Sequence, residues 1–394
     1  MRKKLKDVCM FYSGTGFPIQ YQGQTKGEYP FYKVGDIANN AIAGKIYLEL
    51  CNNYISSDVA KMIKGCILPK DTVVFAKIGE ALKLNRRAIT SCDCLIDNNA
   101  MGIAPKLDSL RIQYFYFCMK NLKMQTLAES TTVPSVRKTV LEKYEIEVPS
   151  LVEQEEIEKK LTLTQKIIEK RRQELSYLDE IIKARFVELF ECGDHEIVKA
   201  SDVCDFITKG TTPPTGEITE EYENGKIPFL KVYNLSFTGE MLFDENPQYI
   251  LAETHNGKLA RSKVYPNDVL MNIVGPPLGK FTLVTDEFEE WNINQAIAIF
   301  RAKERILPRF LLHALMQPKV LEPFIGQAVG IRQQNLSLEQ CRNLQFPLPS
   351  LEEQKSFVEF AEQLDKSKFD TMTFAPIYDI INLYLHTHFY QGRR

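Results

Sequence analysis

The chain has 394 residues, 44% of them hydrophobic, which is enough for two domains with separate cores. No charged-then-apolar leader opens it and no apolar run approaches the roughly 18 residues of a membrane helix, so a cytoplasmic protein with no membrane partner is expected. Nine Cys and five His, without paired spacings, argue against a disulfide frame or a zinc site, and the net charge of −2 conceals 21 Lys and Arg against 14 Asp and Glu in residues 1–149, but 15 against 20 in residues 194–349.

The first segment, residues 1–149, mixes strand and helix signals. Ser13-Gly14-Thr15-Gly16 reads as a polar turn that lacks the rest of a nucleotide loop. Lys33-Val34-Gly35-Asp36-Ile37 follows, and then Thr72 to Ala76 forms a short apolar run bounded by turn residues, the pattern of a strand. Gly79 lets the backbone beyond that strand approach a ligand closely, and Lys77, Lys83, Asn85, Arg86 and Arg87 around it offer donors to phosphate oxygens. Leu110 to Leu122 places aromatic and Leu residues at helical spacing. The loop from Thr131 to Lys138 adds Arg137 and Lys138 to the candidate contacts.

Residues 150–193 form a different kind of segment. Ser150 with Glu153 makes the capping pair that starts a helix, and neither Pro nor Gly occurs until Gly193. A helix of roughly 40 residues would be about 60 Å long, more than one domain needs for its own core. Leu161, Ile168, Leu175, Ile182 and Leu189 recur every seven residues and are candidates for docking a partner helix. The parallel line alternates Ile157 and Leu178 with Thr164, Arg171 and Arg185, an imperfect second seam for a two-stranded coiled coil.

Residues 194–349 then repeat the first segment. Lys231-Val232-Tyr233-Asn234-Leu235 answers Lys33 to Ile37, Asp268 to Gly275 answers Asp71 to Gly79, and Asn294-Gln295-Ala296 answers Asn98-Asn99-Ala100. The candidate contacts recur too: Lys209, Thr211 and Thr212 opposite Thr15, then Lys231, then Lys280 beyond the Gly275 loop, then Arg332, Gln333 and Gln334. Arg and Gln carry the planar donor sets that match guanine and adenine edges. The last segment, residues 350–394, restarts with Ser350 and Glu353 and continues a helix through Phe357 and Leu364, two further docking candidates. Pro376 should break it, with a short second helix from Ile377 to Phe389.

Catalytic signatures are missing. No phosphate loop, dinucleotide fingerprint, His-Glu-x-x-His or Gly-x-Ser-x-Gly elbow is present. The prolines after Asn272 stand too far from it for an amino-methyltransferase loop, and His195, His255 and His313 have no partner that the sequence places nearby. No catalytic or metal-ligating residue is assigned, and a non-enzymatic binding subunit is expected.

In this order, and twice over, these motifs resemble the specificity subunit of type I restriction-modification systems. The likeness rests on Gly27 to Ile37, Ala76-Lys77-Ile78-Gly79-Glu80-Ala81, Lys209 to Pro213, Gly275 to Lys280, and the two Pro-Ser-Leu-x-Glu-Gln helix starts. The resemblance implies a mixed α+β fold with two target recognition domains, residues 1–149 and 194–349, separated by long antiparallel helices in a pseudo-twofold arrangement. It further implies one DNA half-site per domain, an asymmetric double-stranded target, and helices that measure spacing and dock modification subunits, two in number, and restriction subunits. S-adenosylmethionine, ATP and Mg would then belong to those partners, in a bacterial or archaeal cytoplasm. A scaffold or anti-restriction protein of the same architecture that reads no DNA is the other reading, kept open by the acidic second domain.

Overall fold

The computed structural model describes residues 1–49, 51–128, 133–223, 225–275, 277–325 and 335–372. They fall into two compact units, residues 1–172 and 173–372, both of mixed α and β structure. Among the described residues, no helix is long and apolar enough to cross a membrane.

The first unit opens with β1 (Arg2–Lys4), β2 (Cys9–Ser13), β3 (Tyr29–Tyr32), α1 (Val34–Ile42), β4 (Tyr47–Leu48) and β5 (Tyr54–Ile55). It continues with β6 (Val73–Ala76), β7 (Arg87–Thr90), β8 (Leu95–Ile96) and β9 (Ala100–Pro105), and ends with α2 (Ile112–Asn121), β10 (Glu145–Glu147) and the start of α3 (Leu151–Phe186). The main sheet runs β2-β9-β6-β7-β4, beside a three-stranded β5-β3-β8 sheet and the β1-β10 pair. All four residues of β6 are buried, because the sheet is covered on both faces and alternation gives each face a core. Val73 and Phe75 belong to the core that holds Phe115, Met119 and Leu161, while Val74 belongs to the one that holds Tyr32, Ile37 and Leu48.

The second unit repeats this plan. Its elements are β11 (Glu196–Lys199), β12 (Cys204–Lys209), β13 (Ile218–Thr219), β14 (Lys226–Leu230), β15 (Tyr249–Leu251), β16 (Lys263–Val264), β17 (Val269–Asn272), β18 (Phe281–Leu283), β19 (Trp291–Ile293) and β20 (Ile297–Ala302). Then come α4 (Pro308–Leu315), β21 (Gln345–Leu348) and α5 (Leu351–Met372). The sheets run β12-β20-β17-β18, β13-β15-β14-β19-β16 and β11-β21. Val269 and Met271 join the core around Phe310 and Phe357, and Leu270 joins the core around Trp291.

Both repeated helix starts have the expected reciprocal cap. Glu153 N–H donates to Ser150 Oγ at 3.3 Å and Ser150 N–H to Glu153 Oε2 at 2.9 Å; Ser350 and Glu353 repeat both distances. The Gln that follows does more than the cap. Gln154, fully buried, donates from Nε2 to the carbonyls of Ser109 and Pro149 and accepts the Arg111 N–H, so the helix start is tied to the entry of α2. Gln354 makes the corresponding bonds to Arg305, Pro349 and Leu307 at the entry of α4.

Within the second unit, the last part of α3 packs against α5. Asp179 meets Lys368 at 2.5 Å and Phe186 meets Phe357 at 5.4 Å between ring centroids. One sequence rises as the other falls, so these segments are antiparallel. Past Phe186 the helix closes with a π-helical turn, Val187–Glu191, which seats Phe190 against Phe186, Phe310 and Phe357. Helix α5 is described through Met372; the expectations for Pro376 and for a helix from Ile377 to Phe389 lie outside the described residues.

Three of the residues expected to dock a partner are buried within their own units. Leu161 belongs to the first unit's core, and Ile182 and Phe357 to the second's, with Leu189 and Leu364 packed on it. Ile168 and Leu175 are half-buried. The buried ones fasten the helices to their own units, whereas the large apolar residues that α3 exposes are Leu151, Val152, Leu163, Ile167, Tyr177 and Ile181.

Candidate nucleic-acid interface

Antiparallel pairing gathers the candidate loops of the first unit at one sheet end. Ser13, ending β2, pairs with Met101, and Ala76, ending β6, pairs with Ala100, so both chains leave the sheet beside the start of β9. Strand β7 starts at the same end, with Arg87 opposite Phe75. Beyond β2, Thr15 N–H donates to Ile96 O at 2.8 Å. A Cβ on Gly14 would lie 1.7 Å from Asp97 O, so only glycine fits this crossing. Beyond β6, Lys77 N–H donates to Asn99 O, Val136 N–H to Lys77 O and Gly79 N–H to Pro134 O, which brings the Arg137–Lys138 loop alongside. Gly79 has φ +76°, a turn that an L side chain would strain.

The side chains of this set divide. Lys83 is exposed and paired with Glu80 at 2.7 Å. Lys138 is exposed, 3.7 Å from Glu142 and over the Phe11 ring, and Arg137 is exposed as well. Lys77 and Arg86, half-buried, pair with no carboxylate among the described residues. Arg87 and Asn85 turn inward, contrary to expectation. Arg87 is 2% exposed and donates to Asn85 O, Asn85 Oδ1 and Leu122 O, and burial pulls its pKa down to about 9. Asn85, at φ +54°, also accepts Met124 N–H and donates to Lys120 O. Together they pin the β7 entry to the end of α2.

The second unit gathers its loops in the same way. Lys209, ending β12, pairs with Ala298, and Asn272, ending β17, pairs with Ile297. A Cβ on Gly210 would lie 2.1 Å from Asn294 O. Thr212 Oγ1 accepts Gln295 N–H, and Thr211 Oγ1 accepts Nε and Nη2 of Arg261 at 3.2 and 2.9 Å. Asn272, fully buried, holds the Gly275 loop by donating to Pro277 O and accepting Lys280 N–H. Lys280 lies over the Phe237 ring, and the bridge between Val274 and Asn335 brings Asn335 to the same end. Lys231 arrives there because Leu230 O accepts Asn294 N–H at 3.1 Å.

These bonds refine the internal repeat. Lys33 N–H donates to Asp36 and Lys231 N–H to Asn234, so that match holds. Asp97, not Asn98, corresponds to Asn294, since Asp97 N–H donates to Tyr32 O as Asn294 N–H does to Leu230 O. The third repeated motif is therefore shifted by one residue.

Thus Thr15, Lys77, Arg86, Arg137 and Lys138 share one sheet end, and Lys209, Thr211, Thr212, Lys231 and Lys280 share the corresponding end of the other unit. Arg332, Gln333 and Gln334, with Thr131 and Thr132, lie outside the described residues. Arg261 was not legible as a candidate, because nothing in Arg261-Ser262-Lys263 shows that its side chain crosses to Thr211. His255 and His313 are buried, and burial lowers both pKa values, that of His313 to about 4. His255 bonds Glu290 and Asn292, and His313 packs on Phe357. Among the described residues, no group of three or more His, Cys, Asp or Glu could hold a metal ion.

Known proteins show the same plan. A family model described as the type I restriction modification DNA specificity domain matches residues 1–177 and again 193–376. The chain is 27% identical over 390 residues to the type I restriction enzyme MjaVIII specificity subunit of Methanocaldococcus jannaschii, covering 92% of this chain and 85% of that one. It is 25% identical over 259 residues to the MjaIX specificity subunit of the same organism, covering 59% and 57%. A solved chain, from work on complex assembly and conformational transition of the type I R-M system, superposes with a TM-score of 0.53 over 98% of this chain and 96% of its own, at 17% identity.

Proposed function

The chain belongs to the family of type I restriction modification DNA specificity domains, and from that premise we propose that each unit reads one half of a bipartite double-stranded DNA site with the loops at its sheet end. The carrying observation is the convergence of the Gly-, Lys- and Arg-bearing loops at corresponding sheet ends in both units. Backbone amides and basic side chains there meet phosphates, and the loops that differ between the units meet different bases, which makes the target asymmetric.

The chain itself supplies recognition. Methyl transfer from S-adenosylmethionine and ATP- and Mg-dependent cleavage reside in modification and restriction subunits docked on its helices. Leu163 and Ile167, four residues apart on α3, supply one apolar contact for a modification subunit and Tyr177 and Ile181 another, since grouped exposed apolar side chains mark interaction sites. The length of α3 sets the spacer between the half-sites.

The test is methylation of random-sequence DNA by the purified chain, the modification subunit, and the two together. Methylation of a two-part motif only by the mixture supports the reading. Assembly with the modification subunit but no sequence-dependent methylation supports the scaffold alternative instead.

A further inference from the structure

Arg261 separates the two units chemically. Strand pairing fixes the correspondence, because Leu68 pairs with Cys94 as Val264 pairs with Trp291. Three residues before these stand Gly65 and Arg261. At Gly65 a Cβ would lie 2.3 Å from Leu95 Cδ2, so the first unit has no room for a side chain there. Its Thr15 hydroxyl accepts the backbone N–H of Cys66 instead. In the second unit, Thr211, the counterpart of Thr15, accepts the Arg261 guanidinium.

The bonding leaves a defined set of donors. Nε and one Nη2 hydrogen are taken by Thr211 Oγ1, so both Nη1 hydrogens and the second Nη2 hydrogen remain, forming the end-on edge of the fork. Arg261 is exposed, and among the described residues no carboxylate pairs with it. In the same unit Arg301 is held by Asp268, Arg305 by Glu196 and Arg309 by Asp365. A cation at the candidate sheet end of an acidic unit is thus held in place by a neutral hydroxyl, with its charge uncompensated.

We propose that Arg261 is a specificity-determining residue of the second unit, reading a guanine through this free edge, with Thr211 as its positioning residue. Guanine presents N7 and O6 side by side as acceptors in the major groove, and an arginine fork meets both at once. The inference rests on the proposed DNA-reading role and deepens it: the first unit has no reader at the corresponding position, Gly65, so this guanine contact belongs to the second unit's half-site.

The experiment uses the full chain assembled with its modification subunit and a random-sequence DNA library, with methylated sites mapped for wild type, Arg261→Ala, Arg261→Lys and Thr211→Val. Arg261→Ala is expected to relax one guanine position in one half-site by about tenfold or more while the other half-site stays unchanged. Lys, which lacks the fork, should restore only part of the preference, and Thr211→Val should relax the same position more weakly. An unchanged motif for Arg261→Ala overturns the inference while leaving the functional reading intact. So does a loss shared equally by all sites with a shallower salt dependence, which is the signature of a phosphate contact. A wild-type complex that methylates without a two-part motif overturns the functional reading itself. The thermal midpoint of each variant, expected to match wild type because Arg261 is exposed, separates loss of reading from loss of fold.

Discussion

Gln354 accepts the Leu307 backbone N–H at 2.8 Å, just as Gln154 accepts that of Arg111 at 2.8 Å. Replacing Gln354 with Ala leaves that N–H and two carbonyls without protein partners, so unfolding of the second unit should be easier by about 1–3 kcal/mol. Gln354→Glu keeps the shape but turns carboxylate oxygens toward the carbonyls of Arg305 and Pro349, and should be at least as damaging at neutral pH. Urea unfolding of the three proteins checks this; a Gln354→Glu protein as stable as wild type would refute it.

His313 carries a pH dependence with a definite sign. Burial beside Phe357 keeps its ring neutral, with a pKa near 4 in the fold against an ordinary value of about 6.5, and nearby Asp365 only partly opposes this. A depressed folded pKa means that its stabilisation is complete above the unfolded value and is lost as pH falls from about 6.5 toward 4. The loss is on the order of 3 kcal/mol. His313→Leu should therefore flatten the stability curve across that window, measured by chemical unfolding at several pH values, and an unchanged slope counts against it.

The two apolar sets on α3 should respond differently. Leu161→Ala removes a buried side chain and should cost about 2–5 kcal/mol of stability. Leu163→Asp combined with Ile167→Asp should leave the melting temperature within a degree or two and weaken modification-subunit binding by about 30-fold or more. Binding measured by titration calorimetry that is unaffected by the double change would remove this face from the docking surface.

Lys77 and Arg86 have no carboxylate partner among the described residues, so their replacement by Ala should act on DNA alone. For each phosphate that goes unneutralised, the slope of log K against log salt should become shallower by about 1. Affinity should fall on all sequences alike, with the methylated motif unchanged. A changed motif would mean that these residues read bases.

Removing seven residues from the exposed middle of α3 shortens it by about 10 Å, roughly three base pairs. Methylation mapping should show a shorter spacer between unaltered half-sites. The same spacer in the deleted protein would mean that α3 does not set it.

The strands and both capped helix starts were legible because their signals are local: β-branched runs between turn residues, and Ser three places ahead of Glu. The convergence of loops was not, since it depends on which strands pair. Arg86 and Arg87 look alike in sequence, yet Asn85 and the Leu122 carbonyl at the end of α2 take Arg87 into the interior and leave its neighbour half-exposed. The seven-residue line was legible only in part, for a related reason. Leu161 and Ile182 do lie on one period, but each end of the line serves the core of its own unit, and periodicity cannot name the partner. The Gln after each cap showed only that it repeats, because two of its three partners lie more than forty residues away in sequence.

The π-helical turn at Val187–Glu191 holds one more residue than an α-helical path over the same rise would need. Deleting one residue there would let the turn revert to α-helical geometry, with the residues on either side keeping their places. Upstream, the α-helix keeps its phase whatever happens at this turn. The chain therefore has a slack joint where α3 meets the second unit's aromatic core, a site that can give up one residue of length without passing the change on to the helix before it.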